Sequence, residues 1–100
     1  MIIVTGSFTA KADRIEEALA LSIEHVRRSR RENGCMLHGV HRDAENPNRL
    51  VFVEQWIDQA ALAEHFAVPA SRSFVRAVTA IAVEAPTISI YDAKKITIMQ

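Results

Sequence analysis

Arg49-Leu50-Val51-Phe52-Val53-Glu54-Gln55-Trp56-Ile57 is the stretch whose reading decides the fold. β-Branched and aromatic residues dominate it, and such residues fit a pleated, packed surface. Side chains alternate along a strand, so Leu50, Phe52 and Trp56 share one face while Val51 and Val53 share the other. A sheet with helices on one side only should be apolar on that side and polar on the opposite one. Here both faces need covering. The amino-terminal stretch Ile2 to Thr9 is mixed in the same way, with Ile3 opposed to Ile2, Val4 and Phe8. Helices can close one face, and the sheet of a second copy is the natural cover for the other. This is the physical argument for a homodimer.

Just upstream, Cys35 to Arg42 predicts a second strand, and residues 43–48 (Asp-Ala-Glu-Asn-Pro-Asn) predict the turn of a hairpin, since Pro47 cannot continue a ladder. With the hairpin centred on Asn46, paired position numbers sum to about 92. Met36 then opposes Trp56, His38 opposes Glu54, and Val40 opposes Phe52. Further upstream, Ile15, Ala18, Leu19, Ser22, Ile23 and Val26 recur at helical spacing, with Asp13 and Glu16 resembling a capping box and Asn33-Gly34 supplying a left-handed stop. Downstream, Asp58 caps a short helix carrying Leu62, His65 and Phe66. Pro69 interrupts it, and Ser71 caps a further helix with Phe74, Val78, Ile81 and Ala82, which Pro86 ends. Ile88, Ile90 and Tyr91 form a fourth strand, and Ile96-Thr97-Ile98 a short extra one. The order β-α-β-β-α-β predicts an α+β, ferredoxin-like sheet.

One hundred residues is the size of one domain, spanning 1–100, and 49% hydrophobic with 24% charged residues is ordinary for a folded protein. Twelve basic residues balance twelve acidic ones, which leaves no net attraction to nucleic acid or anionic membrane. Arg27, Arg28, Arg30 and Arg31 fall at the end of the long helix, where cations favour the dipole. A single cysteine, Cys35, rules out an internal disulfide framework and a Cys-rich metal site. Met1 to Gly6 lacks the pattern of a signal peptide, and no apolar run reaches the ~18 residues of a membrane span. The expectation is a cytoplasmic protein with neither membrane nor nucleic-acid partner.

His38 and Glu54 form a cross-strand pair beside Trp56 in this register. A carboxylate beside an imidazole orients the ring as a proton donor or acceptor, although such a pair also serves simply to stabilise a half-buried sheet. His65, on the apolar side of its helix, is read as either a packed core residue or a proton-transfer group. His41 points away from His38, and His25 falls in the polar half of the long helix. The four histidines have no spacing typical of a metal site, so none is expected. Dinucleotide, P-loop, CxxC, GxSxG and HExxH motifs are absent as well. No cofactor is expected; any chemistry rests on acid–base groups in an apolar pocket.

Asn33-Gly34-Cys35, Arg42-Asp43 with Asn46-Pro47-Asn48-Arg49, Phe52-x-Glu54-x-Trp56, Ala60-Ala61-Leu62 and His65 together resemble the antibiotic biosynthesis monooxygenase domain family. The resemblance implies a dimeric α+β barrel with a pocket between sheet and helices. It also implies cofactor-independent oxidation of a small aromatic quinol or phenol by dioxygen. Glu54, Trp56 and His65 carry over from the family pattern. His38 stands where relatives have an aromatic residue, and its assignment rests on the hairpin register alone. His65 and His38 are the expected catalytic groups, and Glu54, Trp56, Phe66 and Arg76 the expected substrate-binding ones. Haem-degrading relatives carry an Asn, a Trp and a His where this chain has Gly6 or a neighbour, His65 and Val75. Phe52 and Leu62 replace the Asn and Tyr associated with anthrone oxidation. Two other functions fit the same scaffold: a non-catalytic, stress-associated barrel that binds small molecules, and an isomerase or lyase in which His65 moves a proton.

Overall fold

A computed structural model describes residues 1–99. The elements run β1 (Ile2–Thr9), α1 (Ile15–Ser29), β2 (Cys35–Arg42), β3 (Arg49–Trp56), α2 (Gln59–Ala67), α3 (Pro69–Ile81) and β4 (Thr87–Asp92). The strands form one antiparallel sheet in the order β2-β3-β1-β4. This is the α+β, ferredoxin-like arrangement that the element order predicts. Leu50, Phe52, Glu54 and Trp56 are buried along β3, and Val51, Val53 and Gln55 between them are half-buried. One face of the sheet is therefore covered within the chain. On the other, Leu37, Gln55, Ile3 and Tyr91 line up as one row across all four strands, with Leu37 43% and Tyr91 54% exposed. Among the described residues, no helix is long and apolar enough to cross a membrane.

The covered face holds two apolar clusters. Phe8, Val26, Leu50, Phe52, Val78 and Ile81 belong to one, and Ile2, Val4, Trp56, Ala61 and Leu62 to the other. Between them, a row of the sheet pairs His38 with Glu54 and Glu54 with Val4. Polar side chains thus interrupt the core along a single row.

Several local details differ from expectation. His38 opposes Glu54 and Val40 opposes Phe52, but a bulge between Cys35 and Leu37 places Cys35, not Met36, opposite Trp56. Met36 is consequently more than half exposed, as the extra residue of a bulge falls out of the ladder. Asp13 lies in a 3-10 turn, Ala12–Arg14, and α1 starts at Ile15 without a side-chain cap. Pro69 opens α3 rather than interrupting it, because proline suits the first helical position. Ser71 is then a buried residue inside the helix, not its cap. Residues 96–98 form no strand.

Gly34 also plays a different part. α1 ends at Ser29, five residues earlier, and Gly34 (φ +80°) instead leads into β2. Its carbonyl accepts from Ile57 N–H at 2.8 Å. A Cβ there would lie 2.5 Å from Ala61 Cβ and 2.8 Å from Ile57 Cγ2. Backbone strain and overpacking thus act together at this position. Gly34→Ala is expected to cost roughly 1–3 kcal/mol in urea unfolding; a change within measurement error would contradict the assignment.

Candidate functional site

Glu54 is where strand geometry meets polar chemistry. Its place between Phe52 and Trp56 on the core-facing side of β3 leaves it 7% exposed. A buried carboxylate must be hydrogen-bonded or paired. Trp56 Nε1–H donates to Glu54 Oε1 at 2.9 Å. His38 Nε2, directly across the hairpin, lies 3.3 Å from the same oxygen, and His65 Nε2 lies 4.0 Å from it. The His38 contact is close enough for an ion pair but poorly aligned, and neither ring nitrogen makes a hydrogen bond. Burial pushes the Glu54 carboxyl up, but His38, the indole N–H and His65 together outweigh it and hold the group below its ordinary value.

α2 delivers His65. The Asp58 carboxylate accepts from Ala61 N–H at 2.8 Å, capping the helix. Ala61, Leu62 and His65 then form its buried stripe. The His65 ring lies 4.6 Å from Trp56 between centroids. Its Nδ1 is 2.8 Å from Oε1 of Glu32, in the turn that follows α1. An ionised carboxylate only accepts, so Nδ1 carries the proton, and in the neutral ring Nε2 is the nitrogen that keeps its lone pair.

α1 contributes His25, which the hydropathy pattern assigns to the polar half of the helix. The stripe that α1 buries is in fact Ala18, Ser22, His25, Val26 and Ser29. Ser22 Oγ donates to Ala18 O and Ser29 Oγ to His25 O, both at 2.7 Å. Each hydroxyl is satisfied by its own helix, so polar residues occupy a core face without needing water. His25 stacks on Phe74 at 4.0 Å with ring planes 5° apart. Arg28 Nη2 lies 3.0 Å from its Nδ1. Guanidinium only donates, so that nitrogen accepts and the proton sits on Nε2. Burial, then the neighbouring His38 and His65, lower the His25 pKa to about 3, and the ring is neutral.

A cleft of about 540 Å³ opens beside this cluster, a volume suited to a small organic molecule. Glu54, His65 and His25 are the buried titratable residues of its lining. Phe52, Phe66 and Phe74 form its apolar sides, and Arg72 and Arg76 belong to its α3 wall. Gly6, facing inward between Val4 and Phe8, withholds a side chain and leaves room beside β1. Of the residues expected at the site, His65, Glu54, Phe66 and Arg76 line the cleft. Trp56 is fully buried and His38 sits behind Glu54, and neither lines it. Pattern reading missed His25 and Glu32. The Ala18-Ser22-His25-Ser29 spacing, i, i+4, i+7, i+11, was the available signal for His25. Nothing in the sequence links Glu32 to His65 across 33 positions.

Comparison with known proteins places this geometry in context. The sequence pattern of the family described as antibiotic biosynthesis monooxygenase matches residues 1–77. An uncharacterized protein of Synechocystis is 38% identical over 74 residues, which cover 74% of this chain and 50% of that protein. The chain thus spans about half the length of that curated relative. A Deinococcus radiodurans structure, provisionally described as an antibiotic biosynthesis monooxygenase, superposes with a TM-score of 0.92 at 26% identity, covering 100% of both chains. A second structure, described as antibiotic biosynthesis monooxygenase, gives a TM-score of 0.88 at 29% identity, over 95% of this chain and 100% of that one.

The Trp56–Glu54 bond makes an energetic prediction. Trp56→Phe keeps an aromatic ring but removes a donor to a buried charge. It should cost roughly 1.5–3 kcal/mol in urea unfolding; a neutral substitution would show that Glu54 does not depend on the indole.

Proposed function

The chain belongs to the antibiotic biosynthesis monooxygenase family, and from that premise we propose that it oxidises a small aromatic quinol or phenol with dioxygen in the cleft beside Glu54 and His65. The observation that carries the reading is the 2.8 Å contact between Glu32 and His65 Nδ1. It leaves the Nε2 lone pair on the wall of an apolar, aromatic-lined cleft. A base in that position can take a hydroxyl proton from a bound substrate. Phe52, Phe66 and Phe74 suit a flat ring, and Arg72 and Arg76 supply positive charge that favours an anionic product of deprotonation.

The chemistry then balances without an added reductant. His65 Nε2 accepts the proton, and the electron-rich anion gives one electron to dioxygen. Recombination of the two radicals forms a carbon–oxygen bond, and protonation gives a hydroperoxide. Loss of water leaves one oxygen atom on the ring. The substrate supplies all four electrons, so a hydroquinone would become a hydroxyquinone with one water released. Excluding solvent protects the intermediates. Glu32 is a positioning residue in this scheme, and His38 and Trp56 act through Glu54.

A second copy of the chain completes the proposal. Leu37, Ile3 and Tyr91 on the uncovered face, with Val51 and Val53 half-buried beside them, are an apolar surface of the kind that another sheet covers. Sedimentation should give twice the 11.2 kDa chain mass, and Val53→Glu should shift it toward one chain. A wild type that stays monomeric at micromolar concentration would contradict the pairing.

Oxygen uptake with a panel of quinols, phenols and anthrones tests the activity. With an accepted substrate, His65→Ala should lower the rate roughly 10²–10⁴-fold. Glu32→Gln should lower kcat with little change in KM, because it alters the ring's tautomer preference and not the cleft. Undiminished turnover in His65→Ala would overturn the assignment. Ligand-induced stabilisation with no oxygen uptake from any substrate would favour a binding protein instead.

A further inference from the structure

The four histidines are far apart in sequence, but three of them meet in space. The ring centroids of His25, His38 and His65 form a nearly equilateral triangle with sides of 5.4, 5.4 and 5.6 Å. Each ring is at most 6% exposed, and one nitrogen from each lies within 4.8 Å of the others. We propose that His25, His38 and His65 form a tri-imidazole site for a divalent transition-metal ion of the zinc type, with Glu54 supplying the negative charge beside it.

Three features of the geometry carry the proposal. Imidazoles bound through nitrogen at ~2.0–2.1 Å place their ring centres about 5 Å apart around a tetrahedral ion, close to the observed triangle. To bind, nitrogens now within 4.8 Å of one another must close to the roughly 3.3 Å of a bound set. His38 is 2% exposed with both nitrogens lacking a hydrogen-bond partner, a costly arrangement for a buried polar ring unless something completes it. Glu54 is a buried carboxylate whose only ion-pair partners among the described residues are His38 and His65. Rings that ligate a metal are neutral, so in the loaded site the divalent cation itself compensates the Glu54 charge.

Outer groups fit a metal as well. Glu32 on His65 Nδ1 is the carboxylate–histidine contact that presents Nε2 to an ion and strengthens it as a ligand. His25 and His65 both line the cleft, which provides the entry path. His25 must rearrange: ligation through Nε2 moves its proton to Nδ1, so Arg28 has to release that nitrogen. Glu24, 4.0 Å from Arg28 one turn away, is available to receive it. Imidazole donors suit zinc, nickel, copper and iron, and a nitrogen–oxygen set disfavours metals that require sulfur.

The proposal stands apart from the oxygenase reading except at His65, whose Nε2 lone pair cannot bind an ion and accept a proton at once. Chelator-treated full-length protein titrated with Co²⁺ should take up one equivalent per chain, with the visible absorption of a tetrahedral ion. His25→Phe, which keeps the ring stacked on Phe74, and His38→Ala should each abolish that spectrum. His41→Ala, at the exposed fourth histidine, should leave it intact. X-ray absorption of the zinc-loaded wild type should show three imidazole shells at about 2.0 Å, a readout independent of how the variants fold. No uptake, a spectrum that survives His25→Phe, or one lost with His41→Ala would overturn the site. Oxygen uptake by metal-free protein, stopped by one equivalent of Zn²⁺, fits both proposals. Turnover without any cobalt spectrum would overturn the metal site alone, and a spectrum without turnover on any substrate the oxygenase alone.

Discussion

A carboxylate placed on the inward side of a central strand constrains everything around it. Glu54 cannot turn to solvent without reversing the parity of β3, which would expose Leu50, Phe52 and Trp56 as well. The apolar cost of that slip far exceeds the cost of housing one charge, so the charge stays inside and the surroundings answer it. Trp56 gives its N–H, His38 comes from the neighbouring strand, and His65 from α2. Glu32 and Arg28 then set the protons of the outer rings. The core is divided in two because this row is polar.

The two glutamates have different relations to the histidines. Glu54 draws rings inward and has no strong donor besides the indole. Glu32 engages Nδ1 of one ring and holds a proton on that nitrogen, on the side away from Glu54. In the proposed chemistry that combination makes His65 the group that meets the incoming partner, whether a substrate proton or a metal ion. His25, held by Arg28 with its proton on the other nitrogen, is a donor in the same wall. A cleft that offers a base, a donor and three phenylalanine rings has more chemistry than a packing defect would require.

Much of this was legible in the sequence. The boundaries of β1 and β2, the antiparallel hairpin and the His38–Glu54 pairing follow from alternation and turn chemistry, because strand periodicity is short-range and strict. The Met36–Trp56 pairing failed for a local reason: one bulged residue shifts the register past it, and no residue type announces a bulge there. Helix reading failed at His25 because it centred the apolar face on Ile15, Leu19 and Ile23, which are only half-buried, whereas the buried stripe runs from Ala18 and Ser22 through His25 to Ser29, whose hydroxyl is satisfied within α1. Ser71 misled similarly, since an N-cap type was buried inside a helix already begun by Pro69. The Glu32–His65 contact depends on tertiary placement of a turn against a helix, and no periodicity encodes it.

Both proposed roles of His65 require the Glu32 carboxylate to fix the tautomer of its ring. Long-range ¹H–¹⁵N correlation spectra of metal-free, ¹⁵N-labelled protein read that directly, ring by ring. The expected result is a protonated Nδ1 and a bare Nε2 on His65, with the opposite pattern on His25. A proton residing on His65 Nε2 would contradict it, because the cleft would then face a donor with no lone pair to offer.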